Sequence, residues 1–241
     1  MKIPFDNAPF YHYLLEILAF FIGMRLYSFL KKKNKIISDE NRLWILLGAM
    51  IGALIGSRVI AVLETPSLIP NMSFFSFFQN KTVAGGFLGG LLGVEIIKKI
   101  IGETKASGDL YVYPILIALI IGRIGCLGMG IMEPTYGIET SFFTGIDLGD
   151  GKLRHPVALY EIVFLLGLIF LFYKLEKVDF INGDRFKLFF LLYFLYRFFI
   201  EFLKPYESLF FQLSIIHFIS IFVFFYYYCF IIRIIKKINA Y

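Results

Sequence analysis

Charge is scarce in this chain, and with it any means of living in water. Only 17% of the 241 residues are Asp, Glu, Lys or Arg, against 59% hydrophobic and 19% aromatic, and the mean hydropathy is +0.76. A soluble globule of this length has no interior able to hide so much apolar surface, so the composition indicates an integral membrane protein. Cysteine is nearly absent too. Cys126 and Cys229 fall in different apolar stretches, which excludes a disulfide framework and leaves two free thiols as the expectation. Acidic residues are outnumbered 18 to 24, for a net charge of +6. In a soluble protein that excess would suggest nucleic acid. Here the lysines flank apolar runs, and anchoring at the cytoplasmic leaflet accounts for them without nucleic acid. The first apolar run lacks an A-x-A-like cleavage site and contains His12, Glu16 and Arg25, so it is expected to be a retained helix. There is no tandem repeat, and no inverted-repeat symmetry of the transporter kind.

Seven apolar runs are present, roughly 9–29, 43–63, 83–101, 111–130, 157–174, 187–203 and 210–232. Each is long enough, or nearly so, to span about 30 Å of hydrocarbon. The expected fold is therefore an all-α bundle of seven transmembrane helices forming one domain over residues 1–241. Basic residues alternate between the loops. Lys31, Lys32, Lys33 and Lys35 follow the first run, and Lys98, Lys99 and Lys105 the third. Lys174, Lys177, Arg185 and Lys187 separate the fifth and sixth, and Arg233, Lys236 and Lys237 follow the seventh. The positive-inside rule then puts the N-terminus outside and the C-terminus in the cytoplasm.

Two runs are rich in small residues at helical spacing: Gly48, Gly52 and Gly56, then Gly85, Gly89 and Gly93, with Gly86 and Gly90 beside them. Such stripes let helix backbones approach closely in lipid. An alternative holds for Gly85 and Gly86, whose missing side chains would leave room for substrate.

Charged residues at membrane depth carry the chemistry. An arginine there costs roughly 2.5–3.5 kcal/mol on insertion scales, so it usually faces a partner, a polar interior or a ligand. Arg123 lies in GRIGCLGMG (122–130), where Gly122, Gly125, Gly128 and Gly130 remove bulk and let something approach the backbone. His12 and Glu16, four apart, can satisfy each other, and Arg58 and Glu95 can form a buried pair, with Lys98 and Lys99 equally able to serve Glu95. Tyr193, Arg197, Glu201 and Lys204 recur at four, four and three, on one stripe of a helix. That Arg–Glu pair has a purely structural reading. Two arginines on different helices also suit a phospholipid headgroup, because guanidinium forks bind phosphate bidentately. RHPVALYE (154–161) opens the fifth run. Pro156 fits the first helical position and His155 the cap; a helix N-terminus favours an anion and a neutral histidine, the form a general base needs. The outer stretch 131–155 carries Glu133, Glu139, Asp147 and Asp150, and its DLGDGK segment reads as a turn, with calcium an open alternative.

With these residues in view, the chain resembles the prolipoprotein diacylglyceryl transferase family. GRIGC (122–126), RHPVALYE (154–161), the double glycine of AGGFLGG (84–90) and R-x-x-x-E-F (197–202) occur in the family's order, and the likeness spans nearly the whole chain. It implies a multi-pass enzyme of the bacterial inner membrane. Such enzymes move the diacylglyceryl group of phosphatidylglycerol onto the thiol of a lipobox cysteine in a preprolipoprotein, with no cofactor and no metal. By position, Arg123 corresponds to the arginine that binds phosphatidylglycerol, Arg197 to a second essential arginine and Tyr193 to a functional tyrosine. His155, Tyr160 and Glu161 fall on the H-P-x-x-L-Y-E motif. Catalysis is then assigned to Arg123, Arg197 and His155, and substrate binding to Arg123, Gly85, Gly86, Tyr160, Glu161, Tyr193, Glu201 and Arg58. Three positions depart from the family pattern: Ala84 where a histidine precedes the double glycine, Cys126 for an asparagine, and Ile131 for a glutamate. They leave open a non-catalytic phospholipid-binding protein on the same scaffold. An enzyme needs a replacement base, for which His155 and Glu133 are the candidates on the outer side.

Overall fold

The computed structural model describes residues 3–32, 36–178 and 180–238, so Lys33 and Lys35 of the first basic loop lie outside it. The chain is helical almost throughout. Its helices are α1 (Ala8–Lys31), α2 (Asp39–Glu64), α3 (Phe74–Gln79), α4 (Val83–Ile101), α5 (Val112–Met129), α6 (Val157–Lys174), α7 (Asp184–Glu201), α8 (Ile215–Tyr226) and α9 (Tyr228–Ile238). The only sheet among the described residues is a two-stranded antiparallel hairpin, β1 (Ile146–Asp147) with β2 (Leu153–Arg154). Each of the seven apolar runs falls mostly on helix. Among the described residues, four helical stretches are long and apolar enough to cross a membrane: Ala8–Lys31, Asp39–Glu64, Gly108–Met132 and Val157–Lys177. A fifth is added if α8 and α9, bent by 57° at Tyr227, count as one span. Helices α4 and α7 have 19 and 18 residues and are interrupted by charge, α4 at Glu95, Lys98 and Lys99 and α7 at Asp184, Arg185, Lys187, Arg197 and Glu201.

Two run boundaries move, for local reasons. The helix of the sixth run, α7, starts at Asp184, ahead of that run, because Asp109 holds its first turn: Oδ2 accepts from the Gly183 N–H at 2.7 Å and Oδ1 from the Phe186 N–H at 2.9 Å. That of the seventh, α8, starts only at Ile215, where Ser214 caps it, and the apolar residues 210–213 stay in the preceding loop. The bend at Tyr227 has neither proline nor glycine to explain it.

The described residues fall into two compact units: Met1–Lys35, Gly108–Phe189 and Phe202–Pro205, then Ile36–Ser107, Phe190–Glu201 and Tyr206–Tyr241. In the first, α1 lies along α5. Tyr27 stacks on Tyr111 with ring centroids 4.8 Å apart, and His12 and Glu16 pair at 3.2 Å as their spacing implies. In the second, α2 and α4 run antiparallel with backbones in contact. A Cβ placed on Gly52 would sit 2.2 Å from the Gly89 oxygen, one on Gly93 2.1 Å from the Gly48 oxygen, and one on Gly85 2.4 Å from the Gly56 oxygen. Only glycine permits that approach, and it leaves the helices close enough for Cα–H···O contacts. Beyond α4, Asn41 donates to Glu103 at 3.0 Å, tying the start of α2 to the residues after α4.

This register corrects the Arg58–Glu95 pairing. With Gly56 opposite Gly85, Arg58 lies level with the start of α4, whereas Glu95 is ten residues beyond Gly85, about 15 Å along the axis. Arg58 Nη1 donates instead to Ser57 Oγ at 2.7 Å.

Candidate functional site

In the first unit, the two motif stretches meet in a buried ion pair. Arg123, in the second half of α5, places Nε 2.9 Å from Glu161 Oε2 on α6, and the two residues are 6% and 1% exposed. One turn further along α5, Arg123 Nη1 reaches Cys126 Sγ at 3.7 Å. The expected approach to the motif glycines is real, and here its occupants are other parts of this chain. Gly125 gives its space to the His12 ring on α1: a Cβ there would lie 3.1 Å from Nδ1. Gly128 seats Phe5, 2.5 Å from such a Cβ, and Gly130 adopts φ 58° with the Leu148 oxygen 2.2 Å from where a side chain would begin. At Gly122 nothing stands within 4 Å.

The loop after α5 builds a small platform for His155. Thr140 donates to the Leu153 oxygen (2.9 Å), His155 to the Ile138 oxygen (3.1 Å), and Ile138 to the Leu203 oxygen (2.9 Å). The DLGDGK turn closes on Asp147, whose Oδ1 accepts from Gly149 and Gly151 at 2.8 and 3.0 Å. Both glycines have positive φ, 111° and 75°, which few other residues tolerate. Asp150 binds Arg154 at 2.8 Å, and that bond holds its carboxyl below the usual range; the guanidinium is raised in return. Among the described residues no His, Cys, Asp and Glu group has the makings of a metal site.

His155 is not a helix cap. Pro156 occupies the N-cap of α6 and makes no side-chain cap, because its ring has no polar atom to accept from the first turn. The His155 ring turns to Tyr160, with Nδ1 3.0 Å from the hydroxyl, and Tyr160 in turn contacts the Thr144 hydroxyl of the loop. Chemically this is an imidazole oriented by the Tyr160 hydroxyl, one residue along α6 from the carboxylate of the buried guanidinium–carboxylate pair.

The second unit holds the other candidates. On α7, Arg197 Nη2 lies 3.5 Å from Glu201 Oε2, both nearly inaccessible. Tyr193, one turn earlier and wholly buried, meets the Phe87 ring edge-on at 4.9 Å. α7 ends at Glu201, so Lys204 leaves the helical stripe. Gly85, expected to make room for substrate, gives that room to Gly56 and Ile60; Gly86 meets nothing nearer than 3.7 Å and retains space. Ala84 is completely buried and apolar.

The sequence reading missed Thr144, the seat of His12 on Gly125, and the residues following α7. There the Ser214 hydroxyl donates to Glu201 Oε1 (3.4 Å), and the Ser214 backbone N–H donates to His217 Nδ1 (3.0 Å). The spacing S-x-x-H is that of a capping box with histidine in the glutamate position, and that was the available signal.

Apolar helices with arginines neutralised inside them define a multi-pass membrane protein whose polar chemistry is buried. Residues 5–233 match the family model for prolipoprotein diacylglyceryl transferase, and the chain belongs to that family. It is similar to a protein of Clostridium perfringens named phosphatidylglycerol–prolipoprotein diacylglyceryl transferase 2, with 28% identity over 224 residues covering 85% of each chain. Proteins of the same activity name from Ehrlichia ruminantium and Campylobacter hominis are 30% and 26% identical, over 79% of this chain and 80% and 73% of theirs.

Proposed function

We propose that this protein transfers the diacylglyceryl group of phosphatidylglycerol to the lipobox cysteine thiol of a preprolipoprotein, or carries out a closely related phospholipid-dependent transfer. The reading takes the chain as one seven-span domain of the bacterial inner membrane, N-terminus outside, with the 131–155 loop on the outer face. The observation that carries it is the buried Arg123–Glu161 pair, which joins the two most specific family motifs around one oriented guanidinium.

In this reaction the peptide sulfur attacks the glyceryl methylene that bears the phosphate. A C–S bond forms, the C–O bond breaks, and glycerol phosphate leaves with the electron pair. Arg123 is assigned to the phosphodiester, where it holds the headgroup and offsets charge growing on the leaving oxygen. Glu161 orients Arg123. Arg197, oriented by Glu201, is assigned the second guanidinium. A free thiol with pKa near 8.5 is only a few per cent ionised at about pH 7, so an acceptor must take its proton. With Ala84 in the usual histidine position, that role falls to His155. The base form needs Nδ1–H donated to Tyr160 and the Tyr160 hydroxyl passed on to Thr144, which leaves the Nε2 lone pair for the thiol. The proton then goes to the departing phosphate.

The apolar, fully buried Ala84 favours a second reading, a phospholipid-binding protein that has lost the transfer step. Purified protein incubated with headgroup-labelled phosphatidylglycerol and a lipobox peptide separates the two. Release of labelled glycerol phosphate only when the peptide is present supports the transferase; binding of the lipid without release supports the binder.

A further inference from the structure

The loop between α7 and α8 feeds a hydrogen-bonded chain into Glu201, and its direction can be read from the donors. Ser214 caps α8, its Oγ accepting from the Ile216 N–H at 3.2 Å. Its own backbone N–H points at His217 Nδ1, 3.0 Å away. An amide only donates, so Nδ1 holds its lone pair and the neutral ring carries its proton on Nε2. The Ser214 hydroxyl also lies 3.0 Å from Nδ1, but that lone pair is already engaged, so the hydroxyl proton goes to Glu201 Oε1 at 3.4 Å. The imidazole ring also meets the ring of Phe198, the neighbour of Arg197, edge-on at 5.0 Å. Glu201 Oε2 faces Arg197 at 3.5 Å. All four residues of the chain Arg197–Glu201–Ser214–His217 are at most 3% exposed.

We infer that Ser214, fixed by His217, is a positioning residue for Arg197, acting through Glu201. Glu201 starts near the last turn of α7, where its side chain would otherwise sample several rotamers. The Ser214 hydroxyl fixes one carboxylate oxygen, and the other is then presented to a single edge of the guanidinium. That contact holds the guanidinium in one orientation, as recognition of an anionic phosphodiester requires. The inference rests on the reading of Arg197 as a headgroup-binding residue.

A plain helix cap would look similar, and two substitutions tell them apart. Threonine and glycine are about equal as N-caps, but only threonine keeps the hydroxyl that reaches Glu201. Ser214→Thr and Ser214→Gly are compared as full-length protein in nanodiscs, by two readouts. One is the KM for phosphatidylglycerol; the other is the order of the Arg197 guanidinium in a 15N-arginine spectrum, assigned with Arg197→Lys. The expected result is a roughly tenfold rise in KM and a loss of guanidinium order in the glycine variant, with both near wild type in the threonine variant. Equal behaviour of the two variants, whether both impaired or both normal, overturns the inference. If guanidinium order falls only in the glycine variant while no variant, nor the wild type, acts on or binds phosphatidylglycerol, the positioning role stands and the transferase reading fails.

Discussion

Glu161→Gln is the perturbation that weighs the buried pair most sharply. The carboxylate lies 2.9 Å from Arg123 Nε, and the two residues are 1% and 6% exposed. Glutamine keeps the shape and one acceptor oxygen but removes the countercharge, leaving the guanidinium buried with nothing of opposite sign at that contact. Breaking a buried pair from one side costs about 3–5 kcal/mol; the retained amide acceptor argues for the lower end, about 3 kcal/mol. That is roughly a hundredfold shift in the unfolding equilibrium. The double variant Arg123→Met, Glu161→Leu removes both charges and both desolvation costs, and pairs replaced in this way are commonly neutral or stabilised by about 1–4 kcal/mol. Denaturant unfolding in detergent micelles, followed by far-ultraviolet circular dichroism, measures both. The expected order is wild type close to the double variant, with the single variant clearly below. A single variant as stable as wild type, or a double variant as unstable as the single, would refute the idea that Glu161 neutralises Arg123. The double variant should also fold and bind no phosphatidylglycerol.

Further outcomes follow from other parts of the fold. Gly89→Ala puts a methyl 2.1 Å from the Gly52 oxygen and should cost about 1–3 kcal/mol, whereas Gly86→Ala, with its nearest neighbour at 3.7 Å, should be tolerated in the same unfolding assay. His155→Gln should leave insertion and lipid binding intact and slow thiol transfer by roughly 10²–10⁴-fold; an unchanged rate in folded protein removes His155 from the mechanism. Asp150 has a folded pKa below its unfolded value, so its contribution is present above the ordinary carboxylate range and is lost as pH falls through the depressed value. Acidification should therefore loosen the 147–154 hairpin, seen as faster amide exchange, and Asp150→Asn should abolish that pH dependence. In a background lacking Cys126 and Cys229, cysteine at 150 should react with an impermeant reagent added outside, and cysteine at 104 should not.

The helices were legible because apolar length and glycine spacing are properties of one segment at a time. The stripe of Gly48, Gly52 and Gly56 and the stripe of Gly85, Gly89 and Gly93 could each be read before any packing was known. Pairings between segments could not. Arg58 and Glu95 looked like partners until the antiparallel glycine register put them at different levels. Arg123 and Glu161 were each recognised within their own motif, but nothing in either motif states that they meet. His155 read as a cap because H-P at a helix mouth fits that pattern; the proline took the N-cap itself and released the histidine to Tyr160. Ser214 and His217 were hidden in an apolar stretch, QLSIIHF, where two polar residues do not interrupt the hydrophobic pattern. Thr144 had no signal at all, since a loop hydroxyl acquires meaning only from what the fold brings to it.

The central claim is that this chain joins a lipid to a cysteine. Proteoliposomes made with phosphatidylglycerol, or with phosphatidylcholine alone, are incubated with a lipobox peptide, and the peptide is weighed by mass spectrometry. The transferase account predicts a diacylglyceryl thioether on the cysteine in phosphatidylglycerol vesicles only, absent with Arg123→Lys protein, in which the charge persists but the fork is lost. Unmodified peptide with folded, lipid-binding wild-type protein, or equal modification with the lysine variant, would contradict it.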